Sequence, residues 1–147
     1  MKEALKEAEK AGKRGDRAIG AVIVHNGQII SRGSSRWKTR NSDVSHAENT
    51  AILRCESYLH ENGRECILYT TVEPCIMCLA TAVFANIRNI VFAVEDRFMN
   101  TKMFIESHPY LKSRVHNYIP GILANESIAL LQKYSPEDAR IVLTGQR

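Results

Sequence analysis

The chain has 147 residues, the length of one ordinary domain, at which folding buries roughly two-thirds of the surface an unfolded chain exposes. Its 44% hydrophobic and 24% charged content excludes disordered, collagen-like and coiled-coil chains, and no apolar run approaches the roughly 18 residues of a membrane span. Twenty Lys and Arg against 16 Asp and Glu leave a formal charge of +4, a balance that tolerates a polyanionic partner without demanding one.

Residues 2–13 set Ala4, Leu5, Ala8 and Ala11 at helical spacing among Lys and Glu, which predicts an amphipathic helix closed near Gly12 or Gly15. This charged start has no apolar stretch of a secretory signal, so the expected location is cytoplasmic, with no membrane contact. Residues 18–24 form a largely β-branched run, followed by Asn26-Gly27 and then Gln28 to Ser31. Asn-Gly between two such runs predicts a β-hairpin, because both turn residues must adopt positive φ. A polar loop is expected from Arg32 to Asp43. Helical periodicity resumes at Ala47, Ala51, Ile52, Cys55, Tyr58 and Leu59 and stops at Gly63.

Residues 66–71 read as a short apolar strand, residues 75–86 as a buried helix, and residues 88–94 as another buried strand. A short helix is expected near 101–107, a strand at 114–119 and a helix from about Asn125 to Tyr134. Ser135-Pro136 then starts a last helix, with Ser at the N-cap and Pro at its first position. Strand–helix–strand order with continuous apolar strands implies an α/β fold, a three-layer α/β/α sandwich around a mixed sheet of about five strands. One domain over 1–147 is expected, with a core at about 18–134 and a C-terminal helical extension at 135–147.

Four cysteines are few for a disulfide scaffold, and Cys75 and Cys78 read better as a metal or redox pair. They stand where a strand gives way to a helix, and His46 and Glu48 where a loop does. Two thiolates one helical turn apart can grip one ion, and a helix start lowers a thiol's pKa. His46 makes a third ligand, whereas tetrahedral zinc takes four. Cys55 and Cys66 fall within helix and strand, and the histidines at 25, 60, 108 and 116 have no ligand-like spacing. The expected cofactor is therefore one Zn2+ per chain whose fourth position holds a water or hydroxide, with Glu48 placed to move its proton.

H-x-E at His46-Ala47-Glu48, followed by Pro74-Cys75-Ile76-Met77-Cys78, resembles the signature of the zinc-dependent nucleobase deaminases. The likeness extends to Ile19–Val24, Leu68–Cys78 and Gly121-Ile122-Leu123 with Glu126, which look like the tRNA adenosine deaminase and guanine deaminase branch. The resemblance implies a cytidine deaminase-like fold, zinc on His46, Cys75 and Cys78, and Glu48 as the proton shuttle. It also implies a base pocket, for which the candidates here are Ile19, Ser35, Ala47, Glu73 and Pro74. Ser35 stands where the branch usually carries a base-binding Asn.

The reading that follows is a hydrolase replacing an exocyclic amine of a nucleobase with oxygen and releasing ammonia. Its substrate is a small molecule: free base, nucleoside or nucleotide. The alternative is adenosine in tRNA, converted to inosine; a second alternative is an inactive zinc-binding or nucleic-acid-binding relative. Relatives in the branch are commonly dimers, so a homodimer is expected, with helix 75–86 or the sheet edge as its surface. Arg32, Arg36, Lys38 and Arg40 surround Trp37, a combination that suits phosphate contact and base stacking, although charge runs of this kind usually serve only solubility. Phe98, Phe104 and Tyr110 are candidates for the substrate mouth or for packing.

Overall fold

The computed structural model describes residues 1–147. Helix α1 (Lys2–Lys13) precedes the hairpin β1 (Gly20–His25) and β2 (Gln28–Ser34). Helices α2 (Ala47–Leu53) and α3 (Glu56–Asn62) lead through a single 3-10 turn at Gly63–Glu65 to β3 (Ile67–Val72), α4 (Ile76–Phe84) and β4 (Asn89–Val94). The chain then runs through α5 (Thr101–Ser107), α6 (Pro109–Arg114), β5 (Asn117–Ile119), α7 (Ala124–Tyr134) and α8 (Pro136–Thr144). The sheet order is β2-β1-β3-β4-β5, with β1 antiparallel to both β2 and β3, and β4 parallel to β3 and β5. The expected mixed five-stranded α/β sandwich is present.

The hairpin turn is the Asn-Gly pair, with φ of 49° at Asn26 and 75° at Gly27, the mirror-image turn that matches the twist of its strands. Helices α1 and α7 cover one face of the sheet, and α2 and α4 the other. On the α2–α4 face Ala21, Ile23, Leu68, Ile90 and Phe92 pack under Ala47, Ala51, Leu79 and Val83. A separate cluster joins Val72, Ala93 and Val94 to Leu131, Ala139 and Val142. Each fully buried aliphatic side chain contributes about 1.5–3 kcal/mol relative to exposure. Two glycines let helices lie directly on the hairpin. A Cβ at Gly20 would strike the backbone of Ala4 and Ala8 in α1, and one at Gly33 the backbone of Ala47 and Ala51 in α2.

Several local expectations change. Strand β2 runs to Ser34, further than the loop expected from Arg32 allowed. The single helix expected from Ala47 to Leu59 is broken at Arg54-Cys55. Ser31 Oγ donates to Ala51 O at 2.7 Å, and the Cys55 N–H turns to Ile52 O instead. Helix α4 is half-buried, since Ile76 is 41% and Phe84 77% exposed. Of the strand expected at 114–119, Arg114 ends α6 (Pro109–Arg114) and only Asn117–Ile119 is strand. Ser135 occupies the N-cap position of α8 without capping it; its hydroxyl accepts the Ala18 N–H at 3.0 Å.

Candidate active site

His46 is the residue immediately before α2 and Cys75 the residue immediately before α4, both with extended backbone. The two helices pack on each other on one face of the sheet, so their starts converge. Cys78 lies one turn into α4 and is fully buried. Each sulfur stands 3.5 Å from His46 Nδ1, and the three donor atoms lie within 4.8 Å of one another. Zinc–sulfur and zinc–nitrogen bonds at a tetrahedral angle would set N and S about 3.6 Å apart. One imidazole and two thiols at that spacing fit a zinc ion. No other His, Cys, Asp or Glu joins the group; Cys66 is in the core and Cys55 points its thiol at Ala51 O.

The electrostatics favour one thiolate in this group, at Cys75. A hydrogen bond from Cys78, reinforced by His46 against the effect of burial, holds the Cys75 thiol down at about 4. Donating that bond, together with burial, pushes Cys78 up. His46 is raised by its hydrogen bond to Cys75. Glu48, in the first turn of α2, is 4% exposed. Burial pushes its carboxyl up, with the His46 charge drawing the other way, and Thr70 of β3 donates to Oε1 at 3.2 Å.

A cleft opens over this group. Its walls include His46, Glu48 and Cys75 together with Ile19, Ser35, Ala47 and Glu73 from the sequence-derived pocket set. Ser35 is fixed by its N–H to Ile19 O at 3.0 Å and by the Arg14 guanidinium on its carbonyl. Glu73 is buried, and burial pushes its carboxyl up. That carboxylate accepts the Asp96 N–H at 2.9 Å, the Lys102 N–H at 3.1 Å and the Tyr118 hydroxyl at 3.0 Å. It thereby ties the end of β3 to the segment after β4. Pro74 is buried and does not line the cleft. Of the three aromatic candidates, Phe98 lines it and Phe104 and Tyr110 do not.

Other cleft residues escaped the sequence reading. Arg17, preceding β1, lines one wall, and Asp138, Ile141 and Val142 of α8 and Arg147 line another. Nothing local marks them, because they are brought in by the packing of α8 and by a contact between Arg17 and Asp138 at 3.2 Å. Their only legible signal was the Ser-Pro start of α8.

Residues 1–94 match the family described as the cytidine and deoxycytidylate deaminase zinc-binding region. The chain belongs to this deaminase family. Among curated relatives, the tRNA-specific adenosine deaminase of Agrobacterium fabrum is 40% identical over 97 residues, 65% of this chain and 64% of that protein. That of Bacillus subtilis is 39% identical over 97 residues, 65% and 60% of the two chains. The matched region therefore spans less than two-thirds of these deaminases' own length. A solved structure from work on A-to-I editing by tRNA:A34 deaminases at the wobble position of transfer RNA superposes with a TM-score of 0.73 at 34% identity. It covers 89% of this chain and 97% of that one. A guanine deaminase from Nitrosomonas europaea shares the fold, with a TM-score of 0.75 at 22% identity over 90% and 81% of the two chains.

Proposed function

We propose that the chain is a zinc-dependent hydrolytic deaminase that converts adenosine to inosine in tRNA, with residues 1–147 acting as one deaminase unit. The observation that carries the chemistry is the buried Glu48 carboxyl beside the His46–Cys75–Cys78 group, in one cleft. The choice of substrate draws on the relatives, which favour the tRNA alternative over the small-molecule reading placed first from sequence.

His46 Nδ1 and the sulfurs of Cys75 and Cys78 would hold the zinc. Bound there, zinc supplies a Lewis acid that makes hydroxide available near neutral pH. Glu48 takes one proton from the attacking water and delivers it to the purine ring nitrogen N1, then carries the second, from the new C6 hydroxyl, to the amine on C6. A C–O bond forms at C6, the C–N bond breaks, and ammonia leaves with one of the water's protons while N1 of inosine keeps the other. The Thr70 hydroxyl on Oε1 holds the carboxyl in one orientation for both transfers. Ile19 and Ala47 form apolar walls for the base, and Ser35 lies beside them as the polar contact. Glu73, with its carboxylate already engaged by three donors, shapes the wall, and Pro74 sets the approach of the chain to Cys75.

Ammonia release from an anticodon stem-loop, compared with free adenosine and free guanine, tests this reading. Turnover of the hairpin far above the free compounds is expected. Turnover of guanine or a free nucleoside in preference to the hairpin would overturn the tRNA assignment, and no ammonia from any of them would overturn the enzyme. The row along α4 with Ile76 and Phe84 exposed and Ala80 half-buried between them supports self-association as the proposed partner contact. Sedimentation should show a dimer for the wild type and a monomer for Phe84→Glu.

A further inference from the structure

The cleft does not end at its mouth. A shallow groove shares its Arg17, Asp138, Ile141 and Arg147 walls and adds Trp37 and Arg140. A second depression shares Arg17 and Trp37 and adds Lys38. Four cationic side chains, Arg147, Arg140, Arg17 and Lys38, thus mark one continuous path from the cleft across Trp37 to the loop before α2. Glu137 and Asp138 share this rim, and Asp138 is matched by Arg17 at 3.2 Å. The Arg17 guanidinium lies 4.3 Å over the Trp37 ring. Its Nε is buried and faces Asp138 Oδ1, so this guanidinium is held in the wall of the path. Arg140 donates to Gln146 O at 3.1 Å, and Arg147 stacks over Phe98 at 4.9 Å, so both guanidiniums are steadied at the surface. Arg140 and Arg147 lie outside residues 1–94, the part that matches the family.

We infer that this path is a phosphodiester-binding track for the single-stranded RNA flanking the reacting nucleotide, with Arg140 and Lys38 on phosphates and Trp37 as its aromatic floor. A cationic groove with an aromatic surface is what binds single strands without reading sequence. Guanidiniums take phosphate oxygens in pairs, and the track begins where a base would enter the cleft. The inference rests on the RNA reading of the substrate and names the surface that would secure it.

The test uses the zinc-loaded full chain, a fluorescent anticodon stem-loop, and the double variant Lys38→Gln/Arg140→Gln. A control loses the same charge elsewhere, at Lys2 and Lys112. Each phosphate contact adds about 0.7 to the slope of log affinity against log salt for a single strand. The double variant should therefore lower that slope by about 1.4 and weaken hairpin binding about tenfold at moderate salt. The loss should fall on KM more than on kcat, the variant Lys38→Gln/Arg140→Lys should recover about half of the lost slope, and the control should keep it. A wild type that deaminates the hairpin alongside a double variant with unchanged slope and KM would overturn the track and leave the RNA reading standing. A wild type that ignores the hairpin and consumes a free base or nucleotide would overturn both. Equal losses in the control and the double variant would reduce the effect to net charge and also overturn the track.

Discussion

His46 Nδ1 stands equally far from the sulfurs of Cys75 and Cys78, while Glu48, two residues on, turns to Thr70. On the proposed reading, three side chains hold the metal and the fourth moves the proton. Glu48→Gln keeps the shape and removes the shuttle. Ammonia release should fall 10²- to 10⁴-fold, the usual contribution of a positioned acid–base, with zinc content and melting temperature retained. Cys75→Ala should instead remove zinc and lower the melting temperature together, because part of the metal-binding free energy is folding free energy; metal analysis and calorimetry read both. These four residues were legible in sequence because spacing within each of two helix starts decides where their side chains sit. Arg17 and Asp138 were not, since only tertiary packing makes them neighbours.

Between residues and the whole stand the elements that carry them. Helix α2 lies so close to β2 that any side chain at position 33 would strike its backbone. Gly33→Ala must therefore push away the helix that begins at His46. The expected loss is about 1–3 kcal/mol, as for other overpacked sites, with weaker zinc retention, measurable by denaturation and by competition with a chelator. The loop before α2 is held by Asp16. Its buried carboxylate accepts the Lys38 and Thr39 N–H groups at 2.9 and 2.8 Å and the Arg14 guanidinium at 2.7 Å.

Burial pushes the Asp16 carboxyl up, but the hydrogen bonds from Thr39 and Arg14 outweigh it and leave its pKa below the usual value. A depressed folded pKa gives stability that is complete above the unfolded value, about 3.9, and is lost as pH falls through the folded one. Asp16→Asn should thus cost about 1–3 kcal/mol near neutral pH. The difference from wild type should shrink in denaturation series taken below pH 4. The hairpin, α1 and the strand–helix–strand unit were readable from periodicity and turn chemistry. The break after Leu53 was not, because it depends on Ser31 reaching a carbonyl in another element.

The molecule as a whole divides its labour by layer. The α2–α4 face brings the ligand group together, while the opposite face contributes α8 to the cleft. The three layers were foreseeable from the order of elements. The role of the last helix was not, because a surface amphipathic helix looks alike whether it walls a cleft or merely covers the sheet. Zinc removal by a chelator should lower the melting temperature by an amount that recovers on adding metal back, since a ligand bound only by the native state stabilises it by mass action. A melting curve indifferent to chelation would refute the centre. No helix is long and apolar enough to cross a membrane.

The bond from the Ala18 N–H to Ser135 Oγ has a mechanical consequence. It fastens the first residue of α8's approach to the residue before Ile19, so two opposing sides of the cleft are riveted together inside the protein. On the proposed RNA reading, that bond resists either side swinging aside to admit a nucleotide still stacked in its loop. The energy of unstacking would then fall on such an RNA, and a hairpin whose target base already spends time outside its stack would be selected before any contact reads its sequence.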